Sequence, residues 1–198
     1  MGKSLNTSES LEKLLPFLTK NEFLNSERLG NEIGFYIFDY SPDEELLVRS
    51  QIKKIAKKLL DSQQLKVSII NLYEKLIESL KNEELLDEFL KIDTNEGTKV
   101  LLPQISPLLE VDFGDKNNIM SLIKHDIAGA DIVFISGVGT AWPLIRSHII
   151  LNNLQTIAGA TPVILFLPGS YDKTKIQLFN SIQSNNYYRA FRIKDLLH

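Results

Sequence analysis

Cysteine is absent from this chain of 198 residues. Disulfide bonds and cysteine-ligated zinc are therefore excluded. Long apolar runs are absent as well, because stretches such as Val163–Leu167 are far too short to span a bilayer. The first residues, Met1–Leu11, are polar and carry no apolar signal-peptide core. From these absences we expect a cytoplasmic protein that makes no membrane contact.

The sequence also lacks an excess of basic charge and a cluster of histidines. Its 22 Lys and Arg residues stand against 25 Asp and Glu residues, and the net charge is −3. This balance argues against a generally basic nucleic-acid surface, although not against a local one. The three histidines, at positions 125, 148 and 198, are scattered and lack the spacing of metal ligands. We therefore expect neither a metal site nor a cofactor.

Short apolar segments alternate with helical patterns along the chain, which predicts an α/β fold. We expect a mainly parallel, Rossmann-like or P-loop-like sheet of about five strands with helices on both faces. The predicted strands are Phe35–Phe38, Lys66–Ile70, Ile132–Ile135, Thr161–Leu167 and Tyr187–Ile193. No linker divides the chain, so residues 1–198 are expected to form a single domain. It would include an N-terminal helical extension over 1–30 and an irregular connection over 93–117, with a strand near Lys99–Leu102.

Apolar residues at helical spacing predict the helices between these strands. Ser41 is expected to cap one helix, with Pro42 at its first position and Glu44 completing a capping box. A first helix is expected around Leu11–Leu18, with Pro16 near its middle or breaking it. The other predicted helices continue from Ser41 to about Leu59 and cover Leu72–Leu90, Asn118–Ala128, 142–157 and 173–183.

A glycine turn after the third strand is the first candidate site. Ser136, Gly137, Gly139 and Thr140 open a helix there, so backbone N–H groups and the helix dipole could hold an anion. Trp142 stands where a dinucleotide motif needs its third glycine, and the Gly-Lys pair of a functional Walker A loop is missing. The turn is therefore either a plain strand-to-helix connection or the site of a nucleotide-binding sensor or enzyme. No catalytic motif is complete, and we assign no catalytic residue.

Arg146 is unusual in the helix predicted over 142–157, because it shares a sector with Trp142 and apolar residues. A buried arginine needs a partner. Asp39, at the carboxyl end of the first predicted strand, is one candidate. The pair would be structural, or it would form an anion-binding or partner-binding site at the carboxyl edge, where open α/β sheets bind ligands. The other interpretation is an arginine that extends its charge to the surface.

Two polar and aromatic segments are candidate interfaces. The C-terminal segment is predicted as an amphipathic edge strand, whose aromatic and arginine residues could also stack on bases or contact a protein. The polar residues of the helix over 142–157 form either an interface or a solvated stripe. The candidate interface residues are Trp142, His148, Asn152, Tyr187, Tyr188, Arg189 and Arg192.

Four segments, taken in order, carry a family resemblance. They are Phe35–Arg49, Ser136–Leu154 with its Gly-Val-Gly and Trp-Pro-Leu-Ile-Arg-Ser-His motifs, Leu167–Asp172, and Asn186–Arg192. Together they resemble the BrxB family, and the chain length is typical of that family. Four ordered segments are far more specific than any one of them.

The resemblance implies a small component of a BREX bacteriophage-exclusion system. Such systems mark host DNA by adenine methylation, and they include a methyltransferase, a large ATPase and a phosphatase-fold protein of the PglZ type. The family has no assigned catalytic activity. The resemblance therefore implies a noncatalytic scaffolding subunit that assembles with other BREX proteins through a PglZ-type protein and reaches DNA indirectly. The alternatives are a nucleotide sensor or enzyme using Ser136–Thr140, and a direct DNA-binding subunit using Arg189, Arg192 and the lysines of 53–58.

Overall fold

A computed structural model describes residues 6–24, 34–105, 119–145, 153–154, 157–183 and 190–197. The strands are β1 (Phe35–Tyr40), β2 (Val67–Asn71), β3 (Ile132–Ser136), β4 (Val163–Tyr171), β5 (Ile176–Leu178), β6 (Ile182–Gln183) and β7 (Phe191–Arg192). The helices are α1 (Thr7–Leu18), α2 (Asn21–Leu24), α3 (Glu45–Gln63), α4 (Leu72–Asn82), α5 (Leu86–Glu96), α6 (Thr98–Ile105), α7 (Ile119–Ile127) and α8 (Val138–Ala141). In these described parts, no helix is both long and apolar enough to cross a membrane.

Five strands form a parallel sheet in the order β2-β3-β4-β1-β7. The longest pairing joins β1 to β4, from Phe35 opposite Val163 to Tyr40 opposite Pro168. Beyond this parallel part, β4 continues and pairs antiparallel with β5, which pairs with β6. The predicted α/β class and the mainly parallel sheet are confirmed.

Helices cover both faces of the sheet, as predicted. One face, here called the aromatic face, carries Tyr36, Phe38, Phe134 and Phe166 and packs against α1 and α3. The opposite, aliphatic face packs against α4, α7 and α8, with residues such as Ile37. Because both faces are buried, successive residues of each central strand are apolar, which is why these strands are continuous apolar runs in the sequence.

The start of α3 differs from the prediction. Pro42–Glu44 form a 3-10 turn before the α-helix begins at Glu45, and Pro42 does occupy the first helical position. Ser41 makes no side-chain bond to the helix backbone, since its hydroxyl donates to the Asp43 carboxylate. Glu44 instead accepts a hydrogen bond from the Thr7 hydroxyl at 2.6 Å. The predicted capping box is therefore wrong, because its glutamate ties α3 to α1.

A capping box is present at α1, where the sequence prediction missed it. The Asn6 side chain accepts from the Glu9 backbone N–H at 2.8 Å, and the Glu9 carboxylate accepts from the Asn6 N–H at 3.1 Å. Pro16 lies in the last turn of α1, and the helix continues to Leu18. The predicted break at Pro16 is therefore wrong, as is its placement near the middle of the helix.

Two predictions between β2 and β3 are also wrong. The single helix expected over Leu72–Leu90 is split into α4 and α5, because Glu84 adopts a left-handed backbone at φ 59°. The strand expected near Lys99–Leu102 is part of α6, in which Leu101 and Ile105 are buried one helical turn apart. Helices thus fill the part of the predicted irregular connection that precedes residue 106.

The chain after β3 contains three further differences. Helical structure begins at Val138 rather than at residue 142, and α8 ends at Ala141 because Trp142 is extended before Pro143 (φ −72°, ψ 140°). The helix predicted over 173–183 is the β5–β6 hairpin, whose turn has positive φ at Phe179 and Asn180. Finally, β4 runs through Pro168 to Tyr171, and β7 is only two residues long before a 3-10 turn.

Candidate interaction edge of the sheet

The carboxyl ends of the parallel strands meet at one edge of the sheet, and the direction of the connections reverses there. The connection after β1 passes over the aromatic face through α3, whereas the connection after β2 passes over the aliphatic face through α4 and α7. Open α/β sheets bind ligands at such switch points. Here the switch point lies between the ends of β1 and β4.

Asp39 lies at this switch point, and Arg192 contacts it from β7, on the other side of β1. Asp39 lies near the end of β1 and is only 3 % exposed. Arg192 in the adjacent β7 donates from Nε to Oδ1 and Oδ2 at 3.0 and 3.1 Å, and from a terminal nitrogen to Oδ2 at 2.8 Å. The hydrogen bonds to Asp39 raise the pKa of Arg192 despite its partial burial. A two-point contact of this kind fixes both side chains and neutralises the buried carboxylate.

The C-terminal segment is tied to β4 as well. The Tyr171 backbone N–H donates to Asp39 Oδ2 at 3.4 Å, and the Tyr171 hydroxyl donates to the Ala190 carbonyl at 3.0 Å. Asp195 binds the Lys173 ammonium at 2.9 Å and lies 3.6 Å from Arg192. The end of the chain therefore closes the switch point with bonds to two strands.

Lys194 lies on the other face of the same edge. Its ammonium sits 5.3 Å from the centre of the Phe38 ring, within cation–π range. Burial lowers the pKa of Lys194, while the charge of Asp39 opposes that shift. Lys194 therefore adds a second half-buried cation beside Asp39.

Tyr40 connects this edge to α3. It is buried, and its hydroxyl donates to the Glu45 carboxylate, which also accepts from Arg49 at 2.9 Å. Burial first, and then the bond to Glu45, raise the pKa of the Tyr40 phenol well above its usual value. Tyr40 is accordingly held as a neutral donor that anchors the start of α3.

The glycine turn packs against the start of α4. Gly137 has a left-handed backbone at φ 74°, and a Cβ atom there would lie 2.1 Å from the Asn71 side-chain oxygen. Asn71 caps α4 by accepting from the Tyr73 and Glu74 N–H groups at 3.1 and 3.4 Å. The turn leads into α8, which has only four residues. The glycine turn therefore packs β3 against the start of α4. An anion at the turn would meet only the weak dipole of a four-residue helix.

Trp142 and Phe179 form an exposed aromatic pair beside this turn. Their rings meet edge to face with centroids 6.3 Å apart, and the residues are 40 % and 37 % exposed. Phe179 sits in the β5–β6 turn with a left-handed backbone at φ 53°, and its N–H donates to the Pro168 carbonyl at 2.8 Å. The sequence prediction missed Phe179, because the segment was expected to be helical and its turn contains neither glycine nor proline.

The structure brings together part of the predicted site. Asp39 and Arg192 are in contact, and the predicted pairing of Asp39 with Arg146 lies outside the described residues. Ser136–Thr140 and Trp142 are close in sequence and adjoin Phe179. The remaining candidates lie outside the described residues, namely Arg146, His148, Asn152, Tyr187, Tyr188 and Arg189. Within the described ranges, no three His, Cys, Asp or Glu residues are grouped so that they could hold a metal ion.

The fold and this edge define the class of the molecule: an open α/β protein with a parallel sheet, whose switch point is closed by its own C-terminal segment. Comparison with known proteins gives the family. The model of the family described as "BREX protein BrxB" matches residues 68–193, and the chain belongs to the BrxB family. The resemblance of the four sequence segments is thus confirmed, and with it a role in phage defence as a BREX protein.

Two relatives named "BREX protein BrxB" extend the match over most of the chain. The protein from Bacillus cereus (strain H3081.97) is 37 % identical over 188 residues, covering 95 % of this chain and 97 % of that protein. The protein from Escherichia coli O9:H4 (strain HS) is 33 % identical over 184 residues, covering 92 % of this chain and 89 % of that protein. No solved structure matches the chain.

Proposed function

We propose that this chain is a noncatalytic scaffolding subunit of a cytoplasmic BREX complex, and that its carboxyl edge docks a PglZ-type phosphatase-fold protein. The observation that carries the proposal is the exposed aromatic pair of Trp142 and Phe179 at that edge. Scattered exposed apolar residues are ordinary on protein surfaces, but two large aromatic rings in contact form a patch. Aromatic side chains are enriched in the cores of protein interfaces and supply most of their binding energy.

The backbone of Phe179 supports a role beyond folding. A left-handed conformation costs about 1 kcal/mol for a residue that carries a Cβ atom. In a tight turn that cost is avoided by asparagine or glycine, yet this turn holds a phenylalanine whose ring is over one-third exposed. An unfavourable backbone that presents an exposed ring is more readily explained by partner binding than by stability.

The closed switch point agrees with docking of a protein rather than a small ligand. The crevice where open sheets bind cofactors is occupied by the buried contact between Asp39 and Arg192. The features that remain exposed beside it are the aromatic pair and the flanking turns. An exposed, partly apolar surface of this kind suits a protein partner.

The test is binding between this protein and the PglZ-type protein of its own BREX system, measured by co-purification and calorimetry. Phe179→Asn should weaken binding at least about tenfold, because it removes an aromatic contact at the interface. The same change should alter the free energy of unfolding by less than about 1 kcal/mol, since relief of the left-handed backbone offsets the lost ring contact. Trp142→Ala should weaken binding to a similar degree.

The matched control is Leu90→Ala. Leu90 is 54 % exposed on α5, which is a different element from those that carry Trp142 and Phe179. Its truncation should leave binding unchanged. Failure of the unmodified protein to bind the PglZ-type protein would contradict the proposal, as would equal losses in the Leu90 and Phe179 variants.

A further inference from the structure

The densest run of basic residues in the chain lies on one helix. Residues 49–58 contain five Lys and Arg residues and no Asp or Glu, whereas the rest of the chain holds 17 basic and 25 acidic residues. These ten residues lie within α3 and span about 14 Å at the rise of an α-helix. A run of five basic residues without an acidic one, in a chain that is acidic as a whole, gives a local surface suited to an anionic partner.

The lysines of α3 face solvent. The buried side of α3 is made of Val48, Ile52, Ile55 and Leu59, and the basic residues Arg49, Lys53, Lys54, Lys57 and Lys58 are all exposed. Arg49 pairs with Glu45 and Lys57 pairs with Asp61, both within α3. In the described part of the chain, Lys53, Lys54 and Lys58 have no carboxylate within ion-pair distance. At least three cations are therefore available to a ligand.

Polar groups extend this surface toward α1. A cleft between the two helices is lined by Gln51, Lys54 and Lys58 from α3 and by Ser8 and Glu12 from α1. Ser8 and Gln51 can donate hydrogen bonds to a phosphate next to the lysines. Glu12 limits the positive charge within the cleft, whereas Lys53 lies outside the cleft lining and has no carboxylate partner among the described residues.

We infer that this lysine face of α3 binds the phosphate backbone of duplex DNA. The inference does not depend on the proposed docking of a PglZ-type protein. Lysine is a mobile point charge that suits phosphate contacts, but it is depleted from the cores of protein interfaces. Single strands are usually held by stacked aromatic residues, and α3 contains none between Glu45 and Gln63. Insertion into a membrane surface would need a continuous exposed apolar face. The apolar face of α3 is buried against the sheet, and its exposed leucines, Leu46, Leu47 and Leu60, lie near the two ends of the helix.

The surface is expected to be insensitive to base sequence. Phosphate contacts give affinity without base readout, and three to four of them predict a salt slope of about −2.7 to −3.6 in log K against log salt. Raising the salt from 50 to 200 mM should then weaken binding by about 40- to 150-fold. We expect the slope to be the same for duplexes of unrelated sequence.

The test uses the full chain and a fluorescent duplex of about 20 base pairs, with binding followed by anisotropy across this salt range. The variant Lys53→Gln, Lys54→Gln, Lys58→Gln should weaken binding at 50 mM salt at least about tenfold and reduce the slope by about 3. The matched control, Lys81→Gln, Lys91→Gln, Lys99→Gln, removes three exposed lysines from the helices of the aliphatic face. This control changes the net charge by the same amount as the α3 variant. Its lysines lie on the other side of the sheet from α3, so it should retain most of the binding.

Several outcomes would overturn the inference. Equal losses in the two triple variants would mean that only net charge matters, and an unchanged affinity in the α3 variant would place DNA elsewhere. Binding of poly-aspartate or of anionic phosphatidylserine vesicles without binding of the duplex would assign the surface to an acidic protein or to a membrane. Equal melting temperatures of the variants and the unmodified protein exclude loss of fold as the cause.

Discussion

Within the described residues, Arg192 is the cation that donates hydrogen bonds to Asp39. Removing it should leave the buried carboxylate with the bond from the Tyr171 N–H but without a bonded cation. We expect Arg192→Ala to lower the free energy of unfolding by about 3 kcal/mol. This value is at the lower end of the range of about 3–5 kcal/mol for breaking a buried ion pair, because Arg192 is partly exposed. Arg192→Lys should lose less, since it keeps the charge without the two-point contact. Urea denaturation measures both.

Arg49→Ala is the matched control for this prediction. Arg49, like Arg192, pairs with a carboxylate, but the Arg49–Glu45 pair is exposed on α3. Exposed pairs contribute little, and we expect a loss below about 0.5 kcal/mol. Similar losses for Arg49→Ala and Arg192→Ala would show that burial of Asp39 does not control the stability of this edge.

Of the two residues in this contact, the sequence predicted one as part of the site's ion pair and not the other. Asp39 was recognisable because it follows an apolar strand at the edge where such sheets bind ligands. Its partner was not, because Arg192 lies 153 residues away and its contact depends on β7 pairing with β1. Strand order is a property of the whole packing, and no spacing in the sequence encodes it.

At the scale of elements, the glycine turn holds β3 against α4. We expect Gly137→Ala to lower the free energy of unfolding by about 2–3 kcal/mol. The left-handed backbone and displacement of the Asn71 cap both contribute to this loss. Gly129→Ala is the control, because Gly129 has a similar φ of 77° but no atom within 4 Å of its added Cβ. In urea denaturation, the Gly129→Ala variant should lose only about 1 kcal/mol of its free energy of unfolding. Equal losses in the Gly129→Ala and Gly137→Ala variants would show that the contact with Asn71 is unimportant.

The elements that were predicted well are those buried on both faces. Strands β1 and β3 lie within two residues of their predicted ends, because a parallel strand between two helical layers is a short continuous apolar run. The β5–β6 hairpin was mistaken for a helix because Phe179 and Asn180 make its turn without a glycine or proline signal. The helix α6 was missed because Gly97 and Pro103 suggested an irregular loop, although Pro103 lies inside the helix.

At the scale of the whole molecule, the buried phenol of Tyr40 should make the free energy of unfolding fall as the pH becomes alkaline. Its pKa is raised in the folded state, so its contribution is complete below the unfolded value near 10 and is lost as the pH rises above it. Between pH 10 and 11, the free energy of unfolding should therefore fall more steeply for the unmodified protein than for Tyr40→Phe. The difference approaches about 1.4 kcal/mol per pH unit.

Urea unfolding at several pH values between 8 and 11 checks this prediction. Tyr40→Phe removes only the hydroxyl that Glu45 accepts, and Arg49 still binds Glu45. At pH 8 the variant should lose about 1 kcal/mol, the usual contribution of one hydrogen bond. Parallel curves for the two proteins across the alkaline range would rule out Tyr40 as the titrating group.

The contact between Asp39 and Arg192 has a consequence for synthesis on the ribosome. Strand β1 emerges early, but its edge partner and the cation for its buried acid are made about 150 residues later. A nascent chain that stops before Arg192 carries an open sheet edge and an uncompensated charge, both of which favour recognition by chaperones and proteases. Only a chain translated through Arg192 can make this ion pair, so we expect β1 to be fully stabilised only after β7 has been synthesised.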